Sequence, residues 1–272
     1  MRRLQDWPDY RKCIATIPRV TGVYTTNLYA GSEQLEDWCK SGSLNVIEKE
    51  GAVLLLRSNR DFKHVYHVAK DASALTAALI NLPAGTYTTD LVGQGAALDE
   101  LSEPYAAAGF ARYAFLCRMT LTQPPTVQSE NCTAVAIPEV ALAKHAPEIS
   151  ALLERLLDRF SEPPPSLLDL EQSAEAGQLL FVRRGEAVAG MLMYELRGQL
   201  AHLRLWHVDA TARGEGVGRQ LMAAFFARTS TAQRKILWVI GDNTRSINIY
   251  RHYGFMEDGL LDQIMLLRKE SL

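Results

Sequence analysis

The sequence predicts an α+β protein that contains two similar domains, each with a mixed, mostly antiparallel sheet flanked by helices. Three observations support this prediction. The second half of the chain carries a meander of three strands, a glycine-rich turn joins the last of these strands to an amphipathic helix, and short motifs of the first half recur in the second. The 272 residues are enough for two hydrophobic cores of ordinary size.

Apolar alternation and turn residues place the elements of the second half. Before the meander, the sequence predicts a strand at Cys132–Ile137, a helix at Pro147–Phe160 and a short helix from Ser166. The meander and the helix that follows it are predicted at Leu179–Val182, Ala187–Leu196, Leu200–Val208 and Val217–Arg228.

The glycine-rich turn has the composition of a phosphate-binding loop. An apolar strand, Leu203–Val208, leads to Arg213-Gly214-Glu215-Gly216-Val217-Gly218, and the amphipathic helix opens directly from this turn. Glycines let several backbone N–H groups converge, and the start of a helix adds the positive end of its dipole. A pyrophosphate can therefore bind here without a metal; the alternative is a glycine-rich turn without a ligand.

The spacing of this turn excludes two other phosphate loops. A Walker loop ends in Gly-Lys-Ser/Thr, whereas Gly218 is followed by Arg219 and Gln220. A dinucleotide-binding fingerprint has its first glycine at the end of the strand, whereas five residues separate Val208 from Gly214. The sequence therefore predicts neither a triphosphate site with magnesium nor a dinucleotide site.

A second motif follows about thirty residues later. Ile236–Ile240 is a continuous apolar run, as expected of a strand that is buried on both faces. Beyond it stands Asn243-x-x-Ser246-Ile247-x-Ile249-Tyr250-x-x-x-Gly254-Phe255, in which Asn243 or Thr244 can cap a short helix and Gly254 can end it. The two motifs, in this order, resemble the two signatures of the GNAT acetyltransferase superfamily.

The resemblance implies a cleft for acetyl-CoA where a parallel pair of strands splays apart, and direct attack of an amine on the thioester. Arg213 and Arg219 can pair with phosphate oxygens or with Glu215. For His207 the alternative is packing in the protein interior, because it lies on the strand face opposite to that of Val208. The residues expected to bind coenzyme A are His207, Val208, Arg213, Gly214, Gly216, Val217, Gly218, Arg219, Asn243, Ser246 and Tyr250.

The resemblance gives Tyr250 a role in proton transfer. It matches the family tyrosine that lies beside the sulfur, where its hydroxyl can protonate the leaving thiolate. The alternative is a helix tyrosine that fills the core.

The general base is left open between several groups. His202 is the first candidate, because counting back from Val208 in steps of two puts His202, Arg204 and Trp206 on one strand face, and an unperturbed histidine titrates near neutral pH. Glu195 is the next candidate, followed by Asp209. A chain of water molecules is the remaining alternative.

A repeat divides the chain. Tyr105-x-x-x-Gly109-Phe110 matches Tyr250-x-x-x-Gly254-Phe255 at an offset of 145 residues, but the first half has the short turn Lys70–Ser73 in place of the glycine-rich one. An N-capping Asp71 carboxylate there would repel a phosphate. We therefore predict a degenerate GNAT-like, non-catalytic domain at residues 1–126 and a catalytic GNAT acetyltransferase domain at residues 127–272, joined near the proline-containing segment Gln123–Val127. The alternative for the first half is an unrelated α/β domain in which the tyrosine motif occurs by chance.

Composition limits the classes of molecule that the protein is expected to bind. The net charge of −2 and the absence of a basic run exclude a nucleic-acid footprint, and no apolar stretch is long enough to span a membrane. The four scattered cysteines indicate neither zinc nor disulfides, so a cytoplasmic protein without a metal is predicted, as a monomer or homodimer. The expected function is acetyl-CoA dependent N-acetylation of a primary amine of a small molecule. The alternatives are acetylation of a protein or peptide, and a module that binds coenzyme A without turnover.

Overall fold

The computed structural model describes residues 1–17, 25–122 and 138–270. These residues form two compact units: unit 1 comprises residues 1–115 and 260–272, and unit 2 comprises residues 116–259. The predicted linker at Gln123–Val127 and the predicted strand at Cys132–Ile137 lie outside the described residues. The predicted domain boundary at residue 126 therefore stays a prediction.

The first part of the chain alternates short helices with strands. Its elements are β1 (Arg2–Arg3), α1 (Trp7–Ala15), β2 (Thr25–Thr26), α2 (Ser32–Lys40), β3 (Leu44–Lys49), β4 (Ala52–Asn59), β5 (Phe62–Ala69), α3 (Ala72–Ile80), β6 (Gly85–Gly93), α4 (Gly95–Ala107) and β7 (Ala111–Leu121). In unit 1, β1, β3, β4 and β5 are consecutive antiparallel neighbours, and β5 pairs with β6 in parallel.

The second part of the chain carries the predicted meander. Its elements are β8 (Glu139–Val140), a 3-10 turn (Ala143–His145), α5 (Ala146–Leu156), α6 (Leu167–Glu175), β9 (Leu179–Arg184), β10 (Ala187–Arg197), β11 (Leu200–Val208), a 3-10 turn (Ala210–Ala212), α7 (Val217–Arg228), β12 (Arg234–Ile240), α8 (Thr244–His252) and β13 (Met256–Lys269). In unit 2, β8 to β11 are antiparallel neighbours and β11 pairs with β12 in parallel. The strands of each unit thus form a mixed, mostly antiparallel arrangement with helices packed on it, as the sequence predicts. No helix among the described residues is long and apolar enough to cross a membrane.

The predicted helix at Pro147–Phe160 is shorter in the structure. It ends at Leu156, and Leu157 adopts an extended conformation with ψ of 143°. The Asp158 carboxylate then accepts hydrogen bonds from the backbone N–H groups of Phe160 and Ser161, at 3.0 and 2.9 Å. A local carboxylate that satisfies backbone donors favours a turn over a further helical turn.

The C-terminal ends of α4 and α8 show that the sequence repeat is also a repeat in the structure. Gly109 and Gly254 both have φ of 92°, a left-handed conformation that favours glycine. The N–H of the next residue bonds to the carbonyl of the motif tyrosine in each case, Phe110 to Tyr105 at 3.0 Å and Phe255 to Tyr250 at 3.1 Å. The same six-residue motif therefore ends α4 and α8 in the same way.

The final strands of the two repeats are exchanged between the units. Residues 116–121 of β7 pair antiparallel with β12, so the first repeat supplies this strand to unit 2. Residues 261–269 of β13 pair antiparallel with β6, so the end of the chain supplies this strand to unit 1. Met119 and Met265, which occupy matching positions of the repeats, are both buried.

Because of this exchange, we predict that a fragment of unit 2 that begins at the domain boundary predicted from the sequence is defective. A fragment of residues 127–259 lacks the strand at residues 116–121 and exposes the edge of the apolar strand β12, which is a template for aggregation. A fragment of residues 116–259 keeps it. We expect the shorter fragment to aggregate and the longer one to stay largely soluble, as measured by sedimentation velocity. Equal solubility of the two fragments would contradict the importance of this strand.

Candidate active site

Unit 2 contains a cavity of about 690 Å³ at the point where two parallel strands separate. Strands β11 and β12 pair from Leu200 opposite Arg234 to Leu203 opposite Leu237. Both strands then continue, β11 to Val208 and β12 to Ile240, and the residues beyond the paired part line the cavity. The splayed parallel pair implied by the resemblance is therefore present.

The residues that the sequence predicts for coenzyme A binding come together around this cavity. Its lining includes His207, Val208, Arg213, Gly214, Gly216, Val217, Gly218, Arg219, Asn243, Ser246 and Tyr250. Burial lowers the pKa of His207 to about 4. The role of each residue in binding stays a prediction, but their convergence is a property of the fold.

The glycine-rich turn presents the start of α7 to the cavity. Gly214 and Gly216 have φ of 87° and 80°, so both positions require left-handed backbone. Gly216 is the N-cap of α7 and provides no side-chain hydrogen bond to the N–H groups of the first turn. These N–H groups and the positive helix end form a cradle that suits a phosphate oxygen.

Two glycines allow α7 to lie close to the strands. A Cβ added at Gly190 in β10 would stand 2.8 Å from Cγ1 of Val217, and one added at Gly218 would stand 3.2 Å from Cζ2 of Trp206. Both distances are shorter than a normal carbon–carbon contact. Glycine at these positions thus fixes where the N-terminus of α7 meets the sheet.

The charges around the turn favour an anion. Arg213, Arg219 and Arg245 line the cavity. The Glu215 carboxylate could have neutralised Arg213 or Arg219, but it pairs with Arg184 on β9 at 2.9 Å. The guanidinium groups are therefore available to phosphate oxygens.

Helix α8 closes the other side of the cavity and carries Tyr250. The Asn243 side chain caps this helix by accepting a hydrogen bond from the Ser246 N–H at 3.1 Å. Tyr250 lines the cavity, and its ring centroid lies 5.5 Å from that of Trp206. Burial, with a contribution from the Glu162 carboxylate, raises the pKa of Tyr250. Its hydroxyl is therefore protonated throughout the neutral pH range.

The predicted strand face of His202 is wrong. Tyr194 lies opposite Leu203 but Met193 lies opposite Leu205, so Arg204 is the extra residue of a β-bulge. The bulge puts Leu203 and Trp206 in contact with the same hydrophobic cluster. His202, which neighbours Leu203, then points to the opposite face, because side chains alternate along a strand.

The three predicted bases are not among the residues that line the cavity. Burial and the Arg204 charge lower the pKa of His202 to about 4. Glu195 pairs with Arg204 and Arg197, at 2.9 Å each. Asp209 accepts hydrogen bonds from Thr211 and pairs with Arg155 at 2.9 Å. The role of these groups as bases stays a prediction.

Two charged residues are among the cavity residues that the sequence did not single out. Arg245, in the first turn of α8, adds a positive charge, and Glu162 adds a carboxylate from the loop that follows α5. Burial and the neighbouring Asp158 raise the pKa of Glu162. The signal that could have found it was the position of Glu162 in the loop expected to form a wall of the acceptor pocket, directly before three prolines.

In unit 1, the gap between the corresponding two strands is filled by a side chain of the protein itself. Strands β5 and β6 pair at only two positions, and then Asn27 lies between them, 4% exposed. Its amide donates to the carbonyls of Val65 and Asp90, at 3.1 and 3.2 Å, and accepts from the N–H of His67 at 2.7 Å. The backbone groups that a bound ligand would need are already satisfied.

The other parts of the cofactor cradle are also replaced in unit 1. The Asp71 carboxylate caps α3 by accepting from the Ala74 N–H at 2.8 Å, as the sequence predicts. The Tyr105 hydroxyl, in the place of the Tyr250 hydroxyl, is hydrogen-bonded to Nδ1 of the buried His67 at 2.8 Å. In unit 1 a carboxylate therefore stands at the helix start, and the tyrosine hydroxyl is already hydrogen-bonded.

A comparison with protein families agrees with this geometry. Residues 148–255 match the model of the Acetyltransferase (GNAT) family. The enzymes of that family use acetyl-CoA, and the residues around the cavity fit it: a glycine-rich helix start for the pyrophosphate, three arginines for phosphate oxygens, and unpaired strand edges that line the same cavity as Tyr250.

Similar proteins support the same family. The mycothiol acetyltransferase of Kineococcus radiotolerans is 27% identical over 163 residues, which cover 59% of this chain and 47% of that protein. This chain thus spans about half the length of the curated relative.

Solved structures show the fold. A GCN5-related N-acetyltransferase from Sphaerobacter thermophilus has a TM-score of 0.57 at 13% identity, covering 90% of this chain and 88% of that one. A tandem GNAT protein from the clavulanic acid biosynthesis pathway has a TM-score of 0.56 at 14% identity, covering 85% of each chain. The predicted fold class is therefore confirmed.

We expect one molecule of acetyl-CoA to bind per chain, and Gly216→Asp to weaken this binding by at least about tenfold, since a carboxylate would repel the phosphates. Gly216→Asn is the matched control, because asparagine has the same shape and the same tolerance of left-handed backbone without the charge. Titration calorimetry measures both. A stoichiometry of two, or equal affinities of the two variants, would contradict the assignment.

Proposed function

We propose that unit 2 is an acetyl-CoA dependent N-acetyltransferase that acetylates a primary amine of a small molecule by direct attack. The observation that carries the proposal is the convergence of the glycine-rich helix start and the buried Tyr250 on one cavity at the splayed strands. The match of residues 148–255 to the GNAT family supports it.

Each part of the cavity has a function in this proposal. The N–H groups at the start of α7 would hold the pyrophosphate, and Arg213, Arg219 and Arg245 would pair with phosphate oxygens. The open edge of β11 near Val208 would hydrogen-bond the pantetheine amides and the acetyl carbonyl. When bound, acetyl-CoA supplies an acetyl group whose carbon–sulfur bond breaks as the new carbon–nitrogen bond forms.

Tyr250 is suited to protonate the leaving sulfur. A tyrosine with a raised pKa keeps its proton at neutral pH, yet it can give the proton to a thiolate that develops beside it. Its position on α8 is fixed by the Asn243 cap at one end and the left-handed Gly254 at the other. The hydroxyl is therefore held in place rather than recruited during the reaction.

A small acceptor is supported by the similarity to a mycothiol acetyltransferase, which favours a small molecule over a peptide.

The proposal is tested by incubating the protein with acetyl-CoA and either a panel of small primary amines or a panel of peptides. Release of the coenzyme A thiol measures turnover. We expect amine-dependent thiol release with small amines. Turnover with peptides alone would contradict the acceptor class, and binding of acetyl-CoA without turnover by any acceptor would contradict an enzymatic function.

We expect Tyr250→Phe to lower kcat by about 10² or more with little change in acetyl-CoA affinity, because only the proton donor is lost. Tyr253→Phe is the matched control, since Tyr253 lines the same cavity from the same end of α8 and also packs against Trp206. Steady-state kinetics and calorimetry measure the two effects. An unchanged kcat in Tyr250→Phe, or an equal loss in Tyr253→Phe, would remove this role from Tyr250.

A further inference from the structure

The loop after α5 holds Glu162 in a fixed position at the cavity. The Asp158 carboxylate accepts hydrogen bonds from the N–H groups of Phe160 and Ser161, and the Glu162 N–H donates to the Asp158 carbonyl at 2.8 Å. The ring of Phe160 is buried in unit 2. Glu162 therefore ends a closed turn that is anchored by a core side chain.

The chain beyond Glu162 is equally constrained. Three prolines, Pro163 to Pro165, limit the backbone angles of the next residues. Ser166 then caps α6 in a capping box with Asp169, with hydrogen bonds of 2.9 and 3.1 Å in the two directions. A side chain held from both sides can keep a productive geometry without paying much conformational entropy on binding.

Glu162 is the only acidic residue among the described residues that line the cavity. The arginines at positions 213, 219 and 245 lie at the glycine-rich turn and the start of α8, whereas Glu162 comes from the α5 side together with Leu156. Its charge reaches Tyr250, whose pKa it helps to raise. The cavity thus has several positive groups where phosphate is expected and one negative group, which comes from the loop after α5.

The other titratable groups of the cavity do not suit a base. His207 has a pKa lowered to about 4 by burial, so its neutral imidazole is a weak base. Tyr250 is protonated at neutral pH. The Glu162 carboxyl, with its raised pKa, is a stronger base than an ordinary glutamate and is still ionised at sufficiently high pH.

We propose that Glu162 binds the ammonium group of the acceptor and removes its proton, which makes the acceptor a cationic primary amine. The inference rests on the proposed acetyl transfer and names the substrate class of that site. An ammonium group neutralises the one carboxylate of the cavity, whereas a carboxylate or phosphate on the acceptor near this point would be repelled.

The proton balance is complete with the groups present. The ammonium loses one proton to Glu162, which passes it to solvent. The amine nitrogen then forms the bond to the acetyl carbon as the carbon–sulfur bond breaks, and the sulfur takes the hydroxyl proton of Tyr250. Tyr250 regains a proton from the nitrogen, which leaves a neutral amide and a thiol.

Kinetics on Glu162→Gln test the step. With the best small amine of the panel, we expect kcat/KM to fall by about 10²–10⁴ while acetyl-CoA affinity stays within about twofold. The wild-type rate should fall on acidification as Glu162 becomes protonated, at a higher pH than for an ordinary glutamate because the pKa of this group is raised. Glu162→Gln should lose this acidic limb, and Glu162→Asp should keep it at a reduced rate.

A second readout is independent of turnover. In protein labelled with ¹³C at the glutamate carboxyls, we expect one carboxyl resonance to titrate with a raised pKa and to be absent from Glu162→Gln. When the same amine is added, the pKa of this carboxyl should fall, because a neighbouring ammonium stabilises the carboxylate. Glu175→Gln, on the exposed surface of α6, is the matched control and should leave kinetics and this resonance unchanged.

The two proposals fail in different ways. If small amines are acetylated but Glu162→Gln keeps both its rate and its acidic limb, or if no raised resonance disappears in that variant, the role of Glu162 is refuted and acetyl transfer stands. If the wild-type protein acetylates no amine, the proposed function itself is refuted.

Discussion

Backbone groups at the edges of two parallel strands that separate part of the way along a sheet must find partners elsewhere. Unpaired N–H and C=O groups are costly when they are buried without water or another partner. Both units of this protein contain such a pair, β5 with β6 and β11 with β12. What occupies the gap decides what each unit can do.

In unit 1 the gap is filled by the amide of Asn27, which makes hydrogen bonds to both strands. The turn that follows β5 is also short: two residues, 70–71, separate Ala69 from the start of α3, and the Asp71 carboxylate caps that helix. In unit 2 the gap is a cavity, and residues 209–216 between β11 and α7 include the two left-handed glycines. The corresponding gap is thus filled by a side chain of the protein in unit 1 and opens into a cavity in unit 2.

The exchange of final strands ties the units together along the chain. Each sheet is completed by a strand from the other repeat, residues 116–121 in one case and residues 261–269 in the other. A chain built in this way needs both repeats for either sheet to be complete. The catalytic role proposed for unit 2 therefore depends on a strand that the first repeat supplies.

Local features could be predicted from the sequence because local chemistry determines them. The bounds of β11 and α7, the Asp71 cap and the left-handed Gly254 follow from apolar spacing and from capping and glycine preferences. The strand face of His202 could not be predicted, because a single extra residue at Arg204 reverses the alternation and leaves no mark in the apolar pattern.

Features that depend on distant segments were also missed. Asn27 is far in sequence from the strands it joins, and Glu162 is one acidic residue in a loop until the fold brings it to the cavity that Tyr250 also lines. The exchange of strands is hidden for a different reason. Because Met119 and Met265 belong to equivalent strands, the sequence pattern is the same whichever sheet each one joins.

Hydrogen–deuterium exchange with and without coenzyme A tests the central claim most directly, because it reports on the backbone groups at both strand gaps in one experiment. The account predicts protection by coenzyme A at residues 204–219 and 238–250, and no change at residues 25–28, 65–75 and 88–92. Protection of the unit 1 segments, or no protection of residues 214–219, would contradict it.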